Sequence, residues 1–170
     1  MTLERLWAGW RASYIDTVAA GSPTDDCLFC SLVDSGDDAG DELQVLDRNA
    51  LVYAVLNVYP YTAGHLLVAP VRHEGELDAL DADEAGALME MMQVATAAVR
   101  AAYRPDGINI GMNLGRAAGA GIPGHLHVHV LPRWSADTNF MTSVAEARVL
   151  PEPLSRTYER LRSAWRDRAS

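Results

Sequence analysis

HLHVHVLPR, residues 125–133, opens with histidine and aliphatic residues in strict alternation. A period of two marks a strand with one face buried. Side chains two apart share a face, so His125, His127 and His129 point one way, while Leu126, Val128 and Val130 point into a core. Neighbouring histidines then sit about 6.5–7 Å apart along the strand. The chain has 5 histidines, and three fall here. Histidine is not a favoured strand residue, so three idle surface histidines explain the pattern poorly. Two chemistries fit it. His-x-His on a strand can supply ligands to a catalytic zinc. Alternatively, a neutral imidazole attacks phosphorus while its neighbours donate to developing oxyanions, work suited to a side chain that titrates near neutrality. The spacing does not choose between them. Gly115, Gly119, Gly121 and Gly124 directly upstream do help. Glycine-rich backbone presents N–H groups to phosphate, and beside the histidines it favours a phosphate-bearing substrate.

Working outward, LQVLD (43–47) and ALVYAVLN (50–57) read as strands joined by a tight turn at Arg48 and Asn49. HLLVAP (65–70) and GINIGMN (107–113) read as two more. Asp81 opens a long helix, since Asp81 and Glu84 have capping-box spacing. Leu88, Met91, Met92, Ala95 and Val99 form its apolar face, where the methionines fill core rather than line a groove. An amphipathic helix spans residues 3–18, with Leu3, Leu6, Trp7, Trp10, Tyr14 and Val18 on one stripe. That stripe docks on a core or a partner more readily than it stacks a ligand. A final helix runs from Pro153 or Leu154 to Arg168. Hairpin-length connections between strand clusters predict an α+β domain on a mainly antiparallel sheet.

Composition narrows the partners. The chain has 170 residues, 49% hydrophobic and 22% charged, with a net charge of -9. That charge disfavours nucleic acid and anionic membranes, although the last residues are arginine-rich. DSGDDAGDE (34–42) is a solvated acidic loop without the ligand spacing of an EF-hand. No apolar run has membrane-spanning length, and no signal peptide is visible. A cytoplasmic protein is the simplest expectation. Cys27 and Cys30 form C-x-x-C, half the spacing of a zinc site. A redox pair ranks last, because an acidic loop rather than a strand precedes it. An inert free pair and a structural zinc both remain.

HLHVHVL resembles the signature of the histidine-triad (HIT) family. NVYPYTAGHLLVAPVRH, with Asn57, Pro60, Gly64, His65, Pro70 and His73, resembles the family's first signature. The likeness runs from about Cys27 to Trp134. PRW followed by DTNFMT is similar to the actinobacterial diadenosine tetraphosphate phosphorylase branch. The resemblance implies a five-stranded antiparallel sheet with flanking helices and a homodimer. It also implies a two-step reaction in which His127 attacks the α-phosphorus of an adenine nucleotide and a nucleotidyl-histidine is resolved by phosphate or water. His129 would stabilise or protonate the bridging oxygen, with His65 as an additional active-site histidine. Asn57 would meet the ribose, and Asn113 is a second contact once a one-residue gap is allowed. Either asparagine can instead serve a local hydrogen bond. Where the family often carries serine or threonine before the triad, Ile122, Pro123 and Gly124 stand here. Backbone N–H groups must then serve, and Gly121 is the position for close phosphate approach. Trp134 either shapes the leaving-group pocket or packs.

Related histidine-triad and galactose-1-phosphate uridylyltransferase-like proteins pair a C-x-x-C with two histidines that map to His73 and His125. The resemblance therefore implies a closed, structural zinc on Cys27, Cys30, His73 and His125. Without zinc, His125 returns to the network behind His127. Magnesium or manganese would accompany a polyphosphate, given the protein's own negative charge. The expected organisation is an N-terminal helix and loop (1–26), the HIT domain (27–150) and a C-terminal helix packed on it (151–170). Competing functions are hydrolysis of an adenylate ester or phosphoramidate, nucleotidyl transfer to a sugar phosphate, and a purine-nucleotide binding module without catalysis.

Overall fold

Every residue of Val52–Leu56 and of Leu66–Pro70 is buried. Strands of that kind are covered on both faces and lie inside a sheet. In the computed structural model, which describes residues 27–34, 44–135, 137 and 152–169, they are β2 and β3. Val45–Arg48 forms β1, Gly107–Met112 forms β4 and Val128–Arg133 forms β5. The sheet order is β1-β2-β3-β5-β4, and every neighbouring pair is antiparallel. Three α-helices accompany it among the described residues: α1 (Leu28–Asp34), α2 (Ala82–Tyr103) and α3 (Leu154–Ala169). The α+β fold read from the sequence is the one present.

The period of two sorts the strands between two cores. Val52, Ala54, Leu56, Leu66, Val68, Val128 and Val130 pack with Leu88, Met91, Ala95 and Val99 of α2 and with Tyr158, Leu161 and Trp165 of α3. Tyr53, Val55, Leu67 and Ala69 face the other way and pack with Phe29 of α1. The long helices therefore cover one face of the sheet, and the short α1 sits on the opposite one. α3 leans on α2 and reaches β1, where Trp165 Nε1 donates to Asp47 at 2.7 Å and Tyr158 donates to the Val45 carbonyl at 3.1 Å.

Element boundaries differ from the sequence in three places. The β1–β2 turn runs over Asn49–Leu51 rather than Arg48 and Asn49, because Asn49 Oδ1 accepts from both Leu51 N–H (2.9 Å) and Val52 N–H (2.8 Å). The α1 helix was not expected, and it begins directly after Cys27. β5 starts at Val128, three residues after His125. The expected helix over 3–18 and most of the acidic loop over 34–42 lie outside the described residues.

At the start of α2, both halves of the capping box are present: Asp81 Oδ1 accepts from Glu84 N–H, and Glu84 Oε2 accepts from Asp81 N–H. Glu84 is buried and also accepts from Arg72 Nε and Nη2, each at 2.8 Å. The Arg72 guanidinium, with help from Asp81 N–H, holds the Glu84 carboxyl at about 2, against an ordinary 4.5. A carboxylate depressed on folding adds stability above its unfolded value and loses it as pH falls towards the folded one. Arg72 is half exposed, which screens the pair. We expect Glu84→Gln to cost about 1–2 kcal/mol at pH 7. The gap from wild type should close as urea unfolding is repeated from pH 4.5 down to 2. An equal gap at both ends would show that the charge contributes nothing.

Candidate active site

β3 and β5 bring the histidines together on the α1 face. Leu67 pairs with His129 across the ladder, and His65 precedes β3 on the same side as Leu67. His65 Nε2 lies 2.9 Å from His129 Nδ1. The rings of His127 and His129 meet edge to face at 5.2 Å. Strict strand alternation, however, holds only for Val128–Arg133. His125, Leu126, His127 and Val128 are all buried. Before the ladder begins, the chain is held by a neighbouring loop: Leu126 N–H donates to the Glu74 carbonyl at 2.6 Å. His125 thereby faces a different set of groups from its two partners.

Hydrogen-bond partners assign the tautomers. The Tyr61 backbone N–H donates to His65 Nδ1 at 3.0 Å. Since that nitrogen accepts, the His65 proton is on Nε2 and is given to His129 Nδ1. His129 in turn carries its proton on Nε2. His127 Nδ1 lies 2.8 Å from the His125 carbonyl oxygen. A carbonyl only accepts, so the proton is on Nδ1 and the Nε2 lone pair is left for chemistry. Burial lowers the His127 pKa, partly opposed by that same bond, which favours the neutral base. His127 is 7% exposed and His65 1%.

Gly64 holds the turn before His65 with φ +81, and a Cβ there would stand 2.8 Å from the Tyr103 ring and 3.0 Å from Pro132. Only glycine meets both demands. Asn57 Oδ1 accepts from Tyr59 N–H at 2.9 Å, and its Nδ2 lies 3.3 Å from His65 Nδ1. It thus forms a local turn and touches a histidine. Asn113 Nδ2 reaches the Gly119 carbonyl at 3.5 Å, a weak tether of the glycine loop. In that loop the positive φ values belong to Gly115 (74) and Gly119 (94), while Gly121 is half buried beyond them. Trp134 packs edge-on to Tyr103 at 6.1 Å.

Two aromatic residues complete the site without having been singled out in the sequence. Phe29 lies 4.8 Å from the His127 ring and 5.1 Å from that of His125. Tyr61 stacks on His129 at 5.8 Å and tilts against His65 at 4.7 Å. The signals available were position only: Phe29 stands inside C-x-x-C, and Tyr61 stands four residues before His65.

Beside the site, Cys27, Cys30, His73 and His125 converge, with one donor atom from each inside 4.8 Å of the others. His125 Nδ1 is 3.6 Å from both sulfurs, and Cys30 Sγ is 3.1 Å from His73 Nδ1. Tetrahedral zinc would set sulfur–nitrogen edges at about 3.5 Å. The four residues therefore fit a metal ion. His125 Nε2–H donates to the Pro70 carbonyl at 2.8 Å, the outer-shell bond that aims Nδ1 at a metal. Burial pushes His125 down to about 4, so the ring is neutral, as a ligand must be. Gly75 lets the His73 loop lie on the loop before His125, since a Cβ there would meet the Pro123 carbonyl at 2.5 Å. No disulfide joins Cys27 and Cys30, and each sulfur lies beside an imidazole.

Comparison with known proteins comes to the same architecture. The HIT domain matches residues 41–136. AP-4-A phosphorylase of Mycobacterium tuberculosis is 39% identical over 96% of this chain and 85% of its own length. Bis(5'-adenosyl)-triphosphatase of Saccharomyces cerevisiae is 32% identical over 54% of this chain and 44% of its own. A zinc-bound histidine triad family protein from Mycobacterium smegmatis superposes with a TM-score of 0.68 at 26% identity, over 85% of this chain and 98% of that one.

Proposed function

Because the chain belongs to the HIT domain family, we propose that it cleaves a dinucleoside polyphosphate, diadenosine tetraphosphate foremost, by nucleotidyl transfer through His127. The carrying observation is the bond from His127 Nδ1 to the His125 carbonyl. It leaves a buried, neutral ring with its lone pair on Nε2. In the first step Nε2 bonds to the α-phosphorus and the bond from that phosphorus to the bridging oxygen breaks. The nucleoside polyphosphate leaves as the anion, its departing oxygen accepting a hydrogen bond from His129 Nε2–H, whose tautomer His65 sets. In the second step inorganic phosphate or water attacks the same phosphorus and the N–P bond breaks. Phosphate yields ADP and water yields AMP, with ATP as the first product in both cases.

Asn57, Asn113, Gly121 and Trp134 are proposed to line the nucleotide path. Asn57 is also a turn-former that touches His65, so its contribution includes the placement of that ring. A structural zinc on Cys27, Cys30, His73 and His125 is part of the proposal, supported by the donor set and by the zinc-bound relative. In such a closed site the metal would supply no substrate chemistry. Magnesium or manganese is proposed to accompany the polyphosphate, since the chain's net charge is -9. No helix among the described residues is long and apolar enough to cross a membrane. A homodimer and a cytoplasmic location are further parts of the proposal and rest on the family resemblance. The domain limits of 27–150, with α3 packed on that domain, belong to the same reading.

Product analysis decides the acceptor. Incubated with diadenosine tetraphosphate and magnesium, the protein should give ATP and ADP only when inorganic phosphate is present. ATP with AMP in its absence would make the enzyme a hydrolase. Tight AMP binding with no turnover under either condition would leave a binding module and sink the proposal.

A further inference from the structure

Phe29 lies between Cys27 and Cys30 in sequence and between His125 and His127 in space. It is 3% exposed. Its ring is 5.1 Å from His125 and 4.8 Å from His127, tilted against both. Its main-chain carbonyl accepts from the Tyr53 hydroxyl at 3.0 Å, and Tyr53 is itself buried in β2. The residue is thus pinned from the sheet, and the two cysteines that bracket it in C-x-x-C are donors of the candidate metal cluster.

His125 makes a second link. Its ring is fixed at both nitrogens, with Nδ1 facing the sulfurs and Nε2–H on the Pro70 carbonyl. Its own carbonyl receives the Nδ1–H of His127 at 2.8 Å. One residue therefore presents its side chain to the cluster and its main chain to the ring that does the chemistry. A neutral imidazole exists as two tautomers, and only the bond from the far nitrogen selects between them. If the His125 carbonyl shifts, or the ring gains room to turn, the proton moves to Nε2 and the lone pair aimed at phosphorus is lost.

We propose that Phe29 is a positioning residue for the His127 imidazole and that, together with His125, it makes the orientation of that ring depend on the filled metal cluster. The proposal rests on His127 as nucleophile. Phe29 also fills core with Val55, Leu67 and Ala69, but core filling alone predicts lost stability with an unchanged His127 ring.

The test uses full-length Phe29→Leu and Phe29→Ala proteins loaded with zinc, and wild type stripped by a chelator. Long-range proton–nitrogen NMR of the histidine rings reads the tautomer directly. Wild type with zinc should show His127 protonated on Nδ1 alone. Both variants should keep wild-type zinc content yet show mixed tautomers. Their kcat should fall about tenfold to a hundredfold, the scale of a small misplacement, with KM within about threefold. Stripped wild type should show the same mixing with its far-ultraviolet dichroism retained, and zinc should reverse it. If Phe29→Ala loses zinc, Phe29→Leu decides. A single Nδ1–H tautomer in the variants overturns the role of Phe29, and a single tautomer in stripped protein overturns the link to the metal. The NMR result stands whether or not any dinucleotide is cleaved, so failure here and failure of the proposed activity are told apart.

Discussion

His127→Asn should reduce turnover of diadenosine tetraphosphate by on the order of 10⁴-fold or more, the scale seen when a covalent nucleophile is removed. The reason is local. The His127 ring keeps a lone pair at Nε2 only because Nδ1–H is held by the His125 carbonyl. An asparagine amide can reproduce that donation but has no comparable nucleophile to offer phosphorus. Because His127 is 7% exposed, a polar side chain able to reach the same carbonyl disturbs the fold least. AMP affinity should stay within about threefold, since the loss is confined to a bond made in the reaction. In wild type, rapid quenching at alkaline pH should trap label from α-phosphate-labelled substrate on the protein as an acid-labile N–P adduct. His127→Asn should trap none. Near-normal turnover in His127→Asn would remove His127 as nucleophile, whatever the fate of the family's other histidines.

His129 and His65 should behave differently from His127. In the proposed reaction they act on the leaving group through a chain that starts at the Tyr61 backbone N–H and ends at His129 Nε2–H. Loss of either ring leaves the N–P bond possible but the departing oxygen poorly stabilised. The defect should therefore depend on how good the leaving group is. The proposal gives the three alternating histidines three tasks: one attacks, one donates, and one faces the cysteine sulfurs.

Much of this was legible in one-dimensional pattern. The alternation at 128–133 is real strand alternation, and the Asp81–Glu84 spacing closes into a reciprocal cap. Pattern failed where structure is imposed from outside the segment. The seven residues of α1 are too few to show a helical period and too few to be stable alone. The helix exists because Phe29 is buried and because its start lies against His73 and His125. His125 and His127 fit strand periodicity yet lie before the ladder, because the pairing partner of Leu126 is a loop carbonyl at Glu74. No periodicity could have shown that. Asn57 illustrates another limit. Its residue type suits a ribose contact, but its carbonyl oxygen is engaged by Tyr59 N–H, a bond visible only in three dimensions. The candidate metal ligands were reached by resemblance, since nothing local joins a C-x-x-C to histidines far along the chain.

Cys27→Ser should lose the metal and much of the stability that depends on it. Four donors drawn from three separate segments form a cross-link that the unfolded chain lacks. A ligand that binds only the folded state adds RT ln(1 + [L]/Kd), about 4 kcal/mol at a thousandfold excess over Kd. For a chain of this size each kcal/mol moves Tm by about 2–4 °C. Zinc removal should therefore lower Tm by about 8–16 °C. Serine offers no thiolate, so Cys27→Ser should match stripped wild type and gain nothing from added zinc. The stabilisation should also fade as pH drops, because bound thiolates and imidazoles must be deprotonated and protons compete for them. Calorimetry with and without chelator, alongside metal analysis of the purified protein, reads each of these. Wild type that carries no zinc and melts at the same temperature with or without chelator would leave the four residues an empty coincidence. His125 would then matter to His127 only through its carbonyl.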